Sequence, residues 1–458
     1  MKSFVRLALF SLLFISYAAE SRAQLAQQPK GLRGAVAEAC EAAARRPGLE
    51  PAACGFGGVE RRHVSRDIYK YSITLKAGPG EHDVIKVNRV VREKSPGVPH
   101  QSDRAVFMVH GDIWGFDAAF LGSTLSGNVP REQSIGVYLA SQGVDVWGID
   151  LRWTQVPADT TDFAFMKGWN LGTHVRDIGL GLGVARAARA ATGSGHGKVA
   201  LLGWSRGGIL AYAYAGAETR LPEQARQVSA LVPVDIAPKL NPEHEEQRAA
   251  ACRRYATSKL QLNAGQYHSN LGVLAQTLGL LAASSPQTPS PVPGFAGLTN
   301  EQAALMLMTS THLLFAPNPP VPGYHMTAGE FNAFGLPTGL QYAREAYVYD
   351  YLQAGSPFQS FTEQVESEAM MCGEVDLPYD DNLGEITLPV LYVGAEGGFG
   401  NFGLDTLTRL GGGDVSSHVV RLHPAGARAV EFGHADLFLA DDAQTLVWEP
   451  IYNWLAAR

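Results

Sequence analysis

Short apolar runs at positions 105–109, 144–149, 199–202, 230–234 and 389–393 stand out along the chain, each followed by a stretch with helical periodicity. Continuous apolar runs of this length, bounded by turn residues, predict strands buried on both faces. Their alternation with helices predicts an α/β fold with a doubly wound, mainly parallel sheet. Ahead of this core the pattern predicts a helix over 32–44, a loop rich in Pro and Gly, and two alternating strands near 68–75 and 84–91. From about 238 to 387 the rhythm stops. Apolar helical runs at 271–283, 302–308 and 340–352, with a Pro/Ser linker at 284–293, predict a large and mainly helical insertion. The chain therefore divides into a leader (1–23), an N-terminal segment with the first strands (24–99), a first core part (100–238), the insertion (239–387) and a second core part (388–458). It carries no internal repeat.

The leader is read from charge and hydropathy. Lys2 and Arg6 precede a short apolar stretch at 7–19, and Ser21-Arg22-Ala23 puts small residues at both recognition positions of a secretory cleavage site before Gln24. A secreted or periplasmic mature chain is expected. No later run reaches the roughly 18 apolar residues of a membrane span, so no stable membrane insertion is expected. The formal net charge of −7 argues against nucleic acid and anionic membranes as partners. In an exported chain the four cysteines point to disulfides. Cys40 and Cys54 share the N-terminal segment, while Cys252 and Cys372 lie near the two ends of the insertion, so the expected pairs are Cys40–Cys54 and Cys252–Cys372. The absence of any Cys-x-x-Cys spacing speaks against a zinc or redox site.

Three motifs carry candidate chemistry. Gly203-Trp204-Ser205-Arg206-Gly207 follows the apolar run 199–202 and precedes a helical stretch, so Ser205 is placed on a tight strand-to-helix turn. The run 105–109 leads into His110-Gly111-Asp112, and Gly433-His434 stands just before a final helical segment. In this order the motifs resemble the α/β-hydrolase superfamily, over about 100–238 and 389–458. The resemblance implies a nucleophile at Ser205, a general base at His434, and an oxyanion hole formed by the backbone N–H groups of Asp112 and Arg206. It implies that the insertion is a lid giving the site an apolar ceiling. The acid is expected just after the strand at 388–394, at Glu396, one residue before the commonest family spacing. Asp235, ending the run 230–234, is the alternative acid, and Asp405 stands third.

Several look-alike motifs carry less. Gly398-Phe399-Gly400-Asn401-Phe402-Gly403 matches a dinucleotide fingerprint literally, but too little chain follows to build that fold, and a loop beside the acid is expected instead. The glycine-rich run 193–198 lacks the Ser or Thr of a phosphate loop, and Arg248 replaces the second histidine of a zinc-protease helix that would begin at His244. No cofactor and no metal are expected. The expected activity is that of a secreted serine hydrolase cleaving an ester, lactone or related acyl bond in a small, apolar acyl substrate. The alternatives are acyl transfer, C–C bond hydrolysis or a non-hydrolytic rearrangement on the same scaffold, or a non-catalytic binding protein.

Overall fold

The computed structural model describes residues 29–458 apart from residue 425. The expected leader at 1–23 lies outside the described residues. The main sheet is built from β1 (Gly55–Ser65), β2 (Ile68–Lys76), β3 (Val84–Ser95), β4 (Ala105–Val109), β5 (Asp145–Asp150), β6 (Val199–Trp204), β7 (Val228–Val234), β8 (Val390–Ala395) and β9 (Val415–Val420). Their spatial order is β1-β2-β3-β5-β4-β6-β7-β8-β9, with the two-residue strand Val98–Pro99 beside β3. From β5 to β9 all pairings are parallel, whereas β1, β2 and β3 form antiparallel ladders ending on β5.

Burial explains this division. Strands β5, β6 and β8 are buried at every position, and apart from Asp145 and Asp150 at the two ends of β5 they read as apolar runs, as expected of parallel strands covered on both faces. β1 is the edge, and most of its residues are half-buried or exposed, with only Val64 and Ser65 buried. Helix α1 (Pro29–Ala43) packs on α2 (Leu171–Ala191), and the Cys40–Cys54 disulfide ties α1 to the chain just before β1. Helix α3 (Arg206–Glu218) leaves β6 directly, and packs beside β7.

Between the end of β7 and the start of β8 the chain leaves the sheet. It forms α4 (Glu245–Asn263), α5 (Leu271–Ser284), α6 (Asn300–Thr309), α7 (Glu345–Gln353) and α8 (Phe361–Cys372). Side chains cap their ends: Thr299 and Gln302 form a reciprocal capping box on α6, and Ser360 accepts the Glu363 N–H on α8. Small residues let α5 sit close to its neighbours. A Cβ added at Gly272 would lie 1.7 Å from the Ser356 carbonyl oxygen, and one at Gly279 would lie 2.7 Å from that of Tyr349. The Cys252–Cys372 disulfide joins α4 to the end of α8 across a separation of 120 residues. Among the described residues no helix is long and apolar enough to cross a membrane.

Candidate active site

Ser205 occupies the turn between β6 and α3 with φ 56° and ψ −129°, a conformation that L-residues rarely adopt. The turn is feasible only because its flanks are glycine. A Cβ at Gly203 would lie 2.1 Å from the Gly207 carbonyl oxygen, and one at Gly207 would lie 2.2 Å from that of Val109. Gly111 meets the same constraint from the neighbouring loop, where a Cβ would come within 2.7 Å of the Ser205 Cβ. Ser205 therefore stands at the C-terminal edge of the sheet, at the N-terminus of α3, where unpaired N–H groups and the helix dipole favour negative charge.

His434 is buried, and its Nδ1 lies 2.6 Å from Asp235 Oδ2. Its other ring nitrogen has no hydrogen-bond partner among the described residues. Trp204 stacks on the imidazole with ring centroids 5.1 Å apart. Asp235 directly follows β7, has φ 48° and is fully buried. Its carboxylate accepts from the backbone N–H groups of Ala395 and Gly400 at 2.9 Å and of Phe399 at 3.0 Å, as well as from the imidazole. Those donors keep the buried charge satisfied. The acid expected first, Glu396, is not the partner of His434. It follows β8 directly and turns to Arg428 and Arg421, at 3.4 and 3.3 Å. Asp405 accepts from His244 Nδ1 and the Asn241 N–H instead.

The glycine-rich run 398–403 acquires a definite role. It wraps the Asp235 carboxylate, and a Cβ at Gly398 would fall 1.9 Å from Oδ2. A pattern that reads as a phosphate cradle cradles an internal carboxylate. Of the other look-alikes, the run 193–198 is the turn before β6, and His244 pairs with Asp405. Among the described residues no group of three or more His, Cys, Asp or Glu side chains is placed to hold a metal ion.

Sequence reasoning missed the clamp on the loop after β4. Asp112 pairs with Arg206 through both carboxylate oxygens, at 2.5 and 2.8 Å. Burial works against the ionised carboxylate, but Arg206 and the Gln359 amide outweigh it and hold its pKa below the usual range. Gln359, fully buried between α7 and α8, donates to Asp112 Oδ1 at 2.5 Å and accepts the Ile113 N–H at 3.3 Å. Ser356 N–H donates to the Ile113 carbonyl at 2.6 Å, and Trp114 Nε1 donates to the Tyr351 carbonyl at 3.0 Å. These contacts bracket Ile113, a β-branched residue held at φ 54°. No signal in the linear sequence joins Gln359 to Asp112, which are 247 positions apart. The N–H groups of Asp112 and Arg206 have no hydrogen-bond partner within the chain among the described residues.

Two connected cavities meet at Ser205. The smaller, about 80 Å³, is apolar, and Trp114, Trp204, Met308 and Met326 line it together with His434. The larger, about 720 Å³, opens over Arg206 and the inserted helices, with Arg253, Ser258, Asn270 and Gln364 among its walls.

No protein-family model matches the chain, and no curated protein matches it in sequence. Solved structures do match. A putative lipase from Sulfolobus solfataricus superposes with a TM-score of 0.56 at 16% identity, over 87% of this chain and 99% of that one. This is the α/β-hydrolase fold. A soluble variant of monoglyceride lipase from Saccharomyces cerevisiae (TM-score 0.41, 11% identity, 89% and 97% covered) and an acetyl xylan esterase from Paenibacillus sp. R4 (0.37, 12%, 91% and 92%) match more distantly. In an α/β-hydrolase fold the turn after β6 and the loop ends of β7 and β8 meet at one edge of the sheet, where Ser205, Asp235 and His434 are found here.

Proposed function

We propose that the chain is a serine hydrolase that cleaves a carboxylic ester, lactone or related acyl bond through an acyl-enzyme on Ser205. The observation that carries this reading is the buried His434–Asp235 pair at 2.6 Å, beside a serine held at a strained strand-to-helix turn. The Asp235 carboxylate fixes the proton on Nδ1, leaving Nε2 basic. Nε2 takes the Ser205 proton as Oγ attacks the acyl carbonyl, and the oxyanion accepts from the N–H groups of Arg206 and Asp112. The intermediate collapses, and the leaving oxygen takes the proton back from His434. Water, activated by the same imidazole, then releases the acid and frees Ser205. The inserted helices act as a cover, since their side chains wall both cavities. Two disulfides support an oxidising location, secreted or periplasmic.

An active-site phosphonate probe tests the assignment. It should label the wild-type chain once and release activity toward p-nitrophenyl esters should vanish with labelling. Ser205→Ala should abolish both, and persistent labelling of that variant would remove Ser205 from the role.

A further inference from the structure

The two cavities at Ser205 differ in charge as well as in size. The smaller contains no ionised side chain except Asp112 and, when protonated, His434. The larger is lined by three guanidinium groups, Arg206, Arg253 and Arg254, against two carboxylates, Asp112 and Glu368. Arg206 is matched by Asp112, and Arg254 by Glu368 at 2.7 Å. Arg253 has no carboxylate partner among the described residues. Its Nε donates to Asn318 Oδ1, another wall residue, and its two Nη groups donate to nothing among the described residues. The chain as a whole carries a formal charge of −7, so this cavity has the opposite sign to the molecule around it. A concave site whose charge opposes that of its surroundings concentrates ligands of the complementary sign.

The chemistry says which part of a substrate meets that charge. The leaving oxygen takes its proton from His434, and His434 borders the smaller cavity and not the larger. The alcohol part therefore occupies the apolar cavity and the acyl part extends into the larger one. We propose that the acyl part of the substrate carries a carboxylate-type anion, and that Arg253 reads it in the larger cavity. This rests on Ser205 being the nucleophile. A planar guanidinium with both Nη groups free binds a carboxylate through two parallel hydrogen bonds, which a lysine ammonium does not reproduce.

Hydrolysis of monoethyl esters of succinic, adipic and suberic acid is compared with that of the same esters carrying a primary amide in place of the free acid. Ethanol release is the readout. For at least one chain length kcat/KM should favour the anion by about tenfold, the scale of one charge-assisted contact. The preference should shrink as ionic strength rises, collapse toward parity in Arg253→Gln, and survive in part in Arg253→Lys. Circular dichroism of both variants verifies that the exposed substitution leaves the fold intact. Parity in the wild-type protein, or a preference that Arg253→Gln leaves untouched, overturns the proposal. So does a preference found only with the charge on the alcohol side, measured with 4-carboxyphenyl and 4-carbamoylphenyl butyrate. Loss of all ester turnover together with loss of phosphonate labelling would instead strike the hydrolase reading, so the two failures are distinguishable.

Discussion

At the scale of single residues, the acid decides how the site is built. Asp235→Asn keeps the size of the side chain but presents an amide to the imidazole, so the Nδ1 proton loses its acceptor. We expect kcat to fall by about 10²-fold to 10⁴-fold, with a modest loss of stability because the amide cannot accept from every N–H that the carboxylate serves, whereas Glu396→Gln should alter kcat by only a few fold. Steady-state kinetics on the two variants separates the roles, and comparable losses in both would mean that neither carboxylate acts alone. The tight strand-to-helix turn that carries Ser205 was legible because glycine at fixed offsets is a steric requirement that shows in the sequence. The acid was not. Asp235 and Glu396 both follow apolar runs that become adjacent parallel strands, and only the facing of their side chains distinguishes them. The fingerprint-like glycines were the missed clue, because Gly398 is dictated by the Asp235 oxygen beneath it.

At the scale of elements, α2 and α8 are joined by a buried charge cluster. His174 is fully buried on α2, with Nε2 3.2 Å from Glu363 on α8 and Nδ1 3.6 Å from Asp177. Burial opposes its charged form, but Glu363 and Asp177 outweigh burial and push its pKa up to about 9. Because the folded value lies above that of the unfolded chain, the stabilisation is fully present below about pH 6.5 and is lost as pH rises through 9. Urea midpoints taken between pH 7 and 10 should fall, and His174→Gln should flatten that decline. A slope unchanged by the substitution would assign it to another group. The parallel strands were legible as apolar runs, while β1 was not. Its glycines at 55, 57 and 58 and its charged residues at 60–62 read as a loop, and it is an edge strand whose arginines are half-buried in ion pairs with Glu93 and Asp117. The run 340–352 was likewise split, since 337–340 pairs as a strand and the helix begins at Glu345.

At the scale of the whole molecule, one covalent bridge ties the first inserted helix to the last. The Cys252–Cys372 bridge closes a loop of 120 residues, and a closure of that length restricts the unfolded chain by up to about 5 kcal/mol in the loop-entropy model. A Cys252→Ser/Cys372→Ser variant should therefore unfold at a clearly lower urea concentration, with kcat changed far less than by any substitution at Ser205 or His434. Non-reducing peptide mapping of the wild-type protein should recover the Cys252–Cys372 and Cys40–Cys54 peptides. The bracket around Ile113 has a consequence for anyone wishing to shorten this chain. The backbone beside Asp112 is held in an unfavourable conformation by Ser356 and Gln359, which come from outside the sheet. A pared-down version that kept the nine strands and discarded the inserted helices would keep its serine and histidine yet let that loop relax, so this scaffold has no smaller working form reachable by simple deletion.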